Sequence, residues 1–260
     1  METLFFTKAA SILGLPQFRM ENSVVPYSAG NARAAIRRLM KANLPGWDRP
    51  LVTEADMFSA WTAMVRLHPE DLVEKSPHHL YQPSVISLME RYADSAPEID
   101  CRFIGLVRNP IATLYSSWRR FGVRPEREEK HWNRAYRTLL EFADRRPDIV
   151  QVVRYEDLVS GDANLAEVLG AQADGEPDET LHADAVDKWR TDSSFGFRPA
   201  PETVALAERF GYLPDELSNP HGRPWSLRRE PRALAYSLFF GLPAETQSLA
   251  RSVMKGLARR

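Results

Sequence analysis

Arg108 and Ser116 stand eight residues apart in the stretch CRFIGLVRNPIATLYSSWRR, residues 101–120. A guanidinium presents a planar fork of donors, and a serine hydroxyl adds a neutral one. Together they suit an anion, a phosphate above all. The elements needed to bring them together are legible nearby. Phe103–Val107 is apolar, β-branched in part and too short for a helix, so it predicts a buried parallel strand. Asn109-Pro110 predicts a helix start, since proline suits the first turn. At helical pitch Ser116 then lies about two turns in. Arg108 falls where the strand ends, and in open α/β sheets ligands bind at that edge. Two structural alternatives stay open: Arg108 could cap a helix or pair with a carboxylate, and Ser116 could face a core.

The rest of the chain fits such a domain. Its 260 residues suffice for one large α/β domain or two small ones, with 43% hydrophobic and 27% charged residues. A net charge of −1 gives no global pull toward nucleic acid or membrane, so an anion site must be local. The single cysteine, Cys101, excludes an internal disulfide and a cysteine-built zinc site. It reads as a buried thiol, and a reducing, cytoplasmic location is expected. No run of about 18 apolar residues suggests a membrane span, and the N-terminus is a poor signal peptide.

Helical patterns alternate with few strand patterns. ETLFFTKAASILGLP predicts a helix stopped by Gly14 and Pro16. NARAAIRRLMKAN predicts another, carrying Arg33, Arg37, Arg38 and Lys41; a solvated face and the lining of an anionic acceptor's groove are both compatible with it. Thr53 and Asp56 form a capping-box pattern before a third helix. QPSVISLMERYADSAP and EEKHWNRAYRTLLEFADRRP read as helices, DIVQVVRYEDLV as a second parallel strand with a polar exit. Short helices are expected at ANLAEVLGA, ADAVDKWR and PETVALAERFGY, with irregular chain from 191 to 201. Alternating strands and helices argue a doubly wound α/β arrangement.

Three segments fall in the order one nucleotide site needs. VEKSP is read as ending a strand at Lys75; LVRNPIATLYS supplies Arg108 and Ser116; VVRYEDLV supplies Tyr155. In that order they resemble the sulfotransferases that use 3′-phosphoadenosine 5′-phosphosulfate (PAPS), of the carbohydrate and protein-modifying type. The resemblance runs from about Val73 to Val159, with a weaker echo at DKWR. It implies an α/β, P-loop NTPase-like three-layer fold with a mostly parallel sheet, in a single domain of residues 1–260 with an Arg- and Pro-rich helical extension from about 220. It implies sulfuryl transfer from PAPS to a hydroxyl or amine of a carbohydrate, lipid or small-molecule acceptor, with PAP as product. Arg108 and Ser116 resemble the clamp on the 3′-phosphate, and Tyr155 a neighbour of the adenine. Lys75 resembles the lysine of the EKTP-type turn; a lysine there stabilises the leaving phosphate. Glu21 stands 18 residues after Thr3, similar to a catalytic glutamate in some relatives, and is the first choice of base. His78 and His79 are the alternative.

One departure is plain. Such enzymes carry a first strand and an RSGTT-type phosphate loop before a helix, and no such loop precedes ETLFFTKAASILGLP. Thr3 is read as its last remnant, the first strand and loop as missing or truncated. The expectation is that the chain begins late; the alternative is a non-catalytic relative that keeps PAP affinity. A P-loop kinase is disfavoured by the absence of GxxxxGK[ST]. No metal is expected, since no HExxH or Cys/His cluster occurs. Glu156 and Asp157 are expected to brace the strand exit. Lys188 and Arg190 could reach a nucleotide, whereas Trp189 reads as a core anchor.

Overall fold

The computed structural model describes residues 3–19, 24–68, 72–170 and 186–223. The chain divides into two compact units, Met1–Phe103 with Arg137–Ile149, and Ile104–Tyr136 with Val150–Arg260. Glu21 and most of the expected C-terminal extension lie outside the described residues.

The first unit is helical. α1 (Phe5–Ile12), α2 (Ala29–Asn43), α3 (Glu54–Val65) and α4 (Pro83–Ser95) gather around Phe5, Phe6, Ile36, Met40, Leu51, Met57, Trp61 and Leu88, all buried. The Phe6 ring meets Trp61 at 5.4 Å and Tyr92 at 5.7 Å between centroids. Each such aromatic contributes about 1.5–3 kcal/mol by leaving water. The Thr53–Asp56 capping box forms as its spacing predicts, each side chain receiving the other's backbone N–H. A short 3-10 helix (Pro77–Tyr81) leads into α4 and buries His79 against the edge of Phe6.

The second unit holds the sheet. β1 (Phe103–Val107) pairs with β2 (Val150–Arg154), and among the described residues these are the only two strands. α5 (Pro110–Phe121) and α6 (Pro125–Arg145) connect them, so the pair is parallel and the fold α/β. α7 (Tyr155–Ser160) follows β2 without a break. α8 (Leu165–Leu169), α9 (Lys188–Thr191), α10 (Pro201–Glu208) and a 3-10 turn (Pro214–Leu217) complete the described part. Trp118 of α5 stacks on Phe195, 5.1 Å apart and 24° from parallel. Buried Asn219 donates its amide to three carbonyls, those of Trp189, Asp192 and Phe195. Next to it two backbones cross: Gly196 N–H donates to Arg223 O at 2.8 Å, and a Cβ on Gly196 would meet Gly222 O at 2.3 Å. No described helix is long and apolar enough to cross a membrane.

One expected element is absent. Residues 72–76 form no strand, contrary to the reading of VEKSP. A strand exists through backbone ladder bonds to a neighbour, and no described strand pairs with this segment, whose Glu74 and Ser76 side chains take donors at the start of α1.

Candidate functional site

β1 delivers Arg108 to the strand exit, and local chemistry fixes the turn that follows. Asn109 caps α5: its side-chain oxygen accepts from Ala112 N–H at 3.2 Å, and Pro110 fills the first turn. Three longer-range bonds hold the same turn. Trp132 of α6 donates its indole N–H to Arg108 O at 3.0 Å. Glu156 of α7 accepts from Asn109 N–H at 3.0 Å. The Asn109 amide donates to Glu216 O at 2.8 Å.

This bracing leaves the Arg108 side chain half-buried, its guanidinium carbon 5.0 Å from the centroid of Tyr155. An arginine over an aromatic face is favourable, by about 0.5–1 kcal/mol at a partly exposed site, and keeps the fork in one orientation. So the structure brings Arg108 and Tyr155 into contact. Ser116 is half-buried on α5 and has no hydrogen-bond partner among the described residues. It lies seven positions after Asn109, hence on the helix face that begins at the strand exit.

Glu156 is a brace, as expected, and its second oxygen explains why it holds. Tyr212, 1% exposed, donates its hydroxyl to it at 2.6 Å. Burial, then the Glu156 charge, drives the Tyr212 phenol far above its ordinary range. Tyr212 therefore remains a donor at any physiological pH. Tyr136 donates to Leu106 O at 3.3 Å, and burial pushes its phenol up to about 12. Two tyrosines and one tryptophan thus hold the exit of β1 through its carbonyls and Glu156.

A cleft of about 350 Å³ opens beside this brace, lined by Asn109, Arg154, Glu156, Asp157, Trp189 and Arg190 among others. Its walls also include Asp162, Asp187 and Glu216, so carboxylates outnumber arginines. Both arginines are engaged, Arg154 with Glu216 at 3.3 Å and Arg190 with Asp187 at 2.8 Å. An anion is disfavoured there. Trp189 is 1% exposed, the core anchor expected of it.

The other expected residues belong to the first unit. Lys75 is exposed in the irregular segment before the 3-10 helix. Beside it, Glu74 does what the sequence reading missed. One carboxylate oxygen accepts from Thr3 N–H at 3.1 Å, Thr3 hydroxyl at 2.9 Å and Leu4 N–H at 3.2 Å, and from the Ser76 hydroxyl. A carboxylate at a helix start answers the unpaired N–H groups and the positive end of the dipole. The Thr3 donors are therefore directed at protein. Lys8, one turn along α1, donates to Thr3 O at 2.6 Å. Burial lowers the Lys8 pKa, and Arg38 adds to that against the opposing pull of Glu74. His79 serves the core, as its burial at 4% exposure shows.

Two comparisons with known proteins bear on this arrangement. A family model described as "Sulfotransferase family" matches residues 7–174. Among solved structures, the sulfotransferase domain from the Synechococcus PCC 7002 olefin synthase is similar, with a TM-score of 0.52 and 20% sequence identity. The match covers 82% of this chain and 90% of that one, a likeness of fold. No curated protein matches the sequence.

Proposed function

Because the chain belongs to the sulfotransferase family, we propose that it moves a sulfuryl group from PAPS to a hydroxyl or amine of a carbohydrate, lipid or small-molecule acceptor. PAPS supplies an activated sulfuryl group whose departure leaves PAP. The observation that carries the reading is Arg108, braced at the exit of β1 with its guanidinium over Tyr155. A fork so held, with the Ser116 hydroxyl on the adjoining helix face, has the donors a ribose 3′-phosphate needs. Tyr155 offers an aromatic surface beside that phosphate. Lys75 is assigned the stabilisation of charge on the departing phosphate, and Glu21 the removal of the acceptor's proton. Sulfuryl transfer, like phosphoryl transfer, asks the protein for position and charge more than for covalent chemistry.

The test is calorimetry with PAP against ADP, which lacks the 3′-phosphate. PAP is expected to bind more tightly, and Arg108→Ala to lower its affinity about 10- to 100-fold while leaving ADP unchanged. Equal binding of the two nucleotides overturns the clamp.

A second reading has one observation in its favour. Glu74 takes the backbone donors at the start of α1. A chain that keeps this carboxylate in place would hold PAP without transferring sulfate. Turnover of labelled PAPS with a panel of glycans, lipids and alcohols separates the two.

A further inference from the structure

α2 differs from the other charged surfaces of the first unit. Arg33, Arg37 and Lys41 recur at four-residue spacing along one line, with Arg38 beside it, and the helix has no acidic residue. Nor does the sequence contain an Asp or Glu anywhere from 22 to 47. Ala32, Ile36 and Met40 are fully buried on the neighbouring face, Arg33 is half-buried at its edge, and Arg37, Arg38 and Lys41 are exposed. Arg33 donates to Leu51 O, but Arg37, Arg38 and Lys41 form no ion pair among the described residues. Elsewhere in the same unit exposed arginines do pair: Arg66 with Glu98 at 3.1 Å, Arg91 with Glu54 at 2.8 Å, Arg102 with Asp100 at 2.9 Å. Like charges four apart on a helix repel, and among the described residues no carboxylate pairs with Arg37, Arg38 or Lys41.

The row continues onto α1. α1 packs against α2, and half-buried Lys8 lies in the fields of both Glu74 and Arg38. Its ammonium reaches Thr3 O, and Thr3 in turn meets Glu74, the neighbour of Lys75. The cationic face therefore runs toward the segment to which transfer chemistry is assigned.

We propose that the outer face of α2, continued by Lys8, is the binding surface for an anionic acceptor, one that carries carboxylate, phosphate or sulfate groups beside the hydroxyl or amine to be modified. The inference rests on the transfer reading for the word acceptor; the surface itself rests on charge alone. Clustered cations raise the local concentration of an anion and speed its capture, and that gain falls with salt.

The experiment measures affinity for dextran sulfate and for neutral dextran of equal length, with PAP affinity measured on the same samples. Wild-type chain is expected to bind the sulfated polymer, more weakly as salt rises, and to ignore the neutral one. Arg37→Glu with Arg38→Glu is expected to weaken binding at least about tenfold. Arg66→Glu with Arg102→Glu makes the same change in net charge elsewhere in the unit and is expected to stay within about twofold. These side chains are exposed, and the milder Arg37→Gln with Arg38→Gln repeats the comparison without reversing charge. Equal losses in the α2 and control variants, or no loss in the α2 variants, overturn the surface. PAP binding that survives such an outcome leaves the transfer reading intact. Loss on α2 without any PAP binding upholds the surface and overturns the transfer reading.

Discussion

Two carboxylates, Glu74 in the first unit and Glu156 in the second, each receive a backbone N–H where a helix begins, yet they do opposite things. Glu74 meets the donors at the front of α1: Thr3 N–H, Thr3 hydroxyl and Leu4 N–H converge on one of its oxygens. Those are the groups an incoming anion would use. Glu156 stands behind the turn instead. It takes Asn109 N–H on one oxygen and Tyr212 O–H on the other, leaving the Arg108 guanidinium to face Tyr155. On the proposed reading, the first carboxylate occupies a binding position and the second supports one. The difference is geometric, since both are acids partnered by backbone at a helix start.

The comparison is most severely tested by removing the supporting acid. Glu156→Ala leaves the Tyr212 hydroxyl and Asn109 N–H without their acceptor, and is expected to cost about 2–4 kcal/mol in chemical denaturation and to weaken PAP binding. PAP affinity unchanged in a folded variant would show that the turn holds Arg108 without help. Tyr212→Phe removes one of the two bonds and is expected to cost about 1–3 kcal/mol, since Glu156 loses a buried donor. Glu74→Gln keeps the shape at α1 but removes the charge, with an expected loss of about 1 kcal/mol. If Glu74 occupies a binding position, the same change raises affinity for inorganic sulfate or PAPS; lowered affinity would place it with Glu156 as a support.

Alkaline titration sharpens the contrast, because the two corners carry opposite signs. Tyr136 has its pKa raised by burial from 10.0 to about 12. Its contribution is fully present below pH 10, where the unfolded phenol is still protonated, and is lost as pH rises toward 12. Lys8 has its pKa lowered from 10.5, chiefly by burial. Its unfolded form binds the proton more tightly, so its penalty is present below the folded pKa and is relieved as pH climbs to 10.5. Unfolding free energies across this range should therefore lose their upper decline in Tyr136→Phe and their lower rise in Lys8→Met. Identical pH profiles for both variants and wild type would contradict the assignment. The smallest effect is expected at the exposed Arg66–Glu98 pair, 3.1 Å apart: Arg66→Ala should cost no more than about 0.5 kcal/mol.

What the sequence disclosed divides along the same line. The Thr53–Asp56 box and the Asn109-Pro110 helix start were legible because every partner lies within three residues. Arg108 and Tyr155 were legible through the order of two strand-exit motifs, each strand short and apolar. VEKSP misled because a familiar motif does not make a strand without a neighbour to complete its ladder, and the Glu74 side chain takes donors 70 and 71 positions away. The Glu156–Tyr212 bond, spanning 56 residues, and the indole on Arg108 O left no local pattern to read. Tyr212 follows Gly211 at a helix end and looks like any aromatic closing a turn.

The crossing at Gly196 and Gly222 will colour any survey of tolerated substitutions. The two segments touch main chain to main chain, with Gly222 O 2.3 Å from where a methyl on Gly196 would sit, and neither glycine has a flexible side chain that could swing aside. Every replacement at either glycine should be rejected as firmly as the loss of an active-site group, although neither position handles a reactant. Intolerance at these two sites would report the thickness of a polypeptide backbone, and assays of fold rather than of turnover would reveal it first.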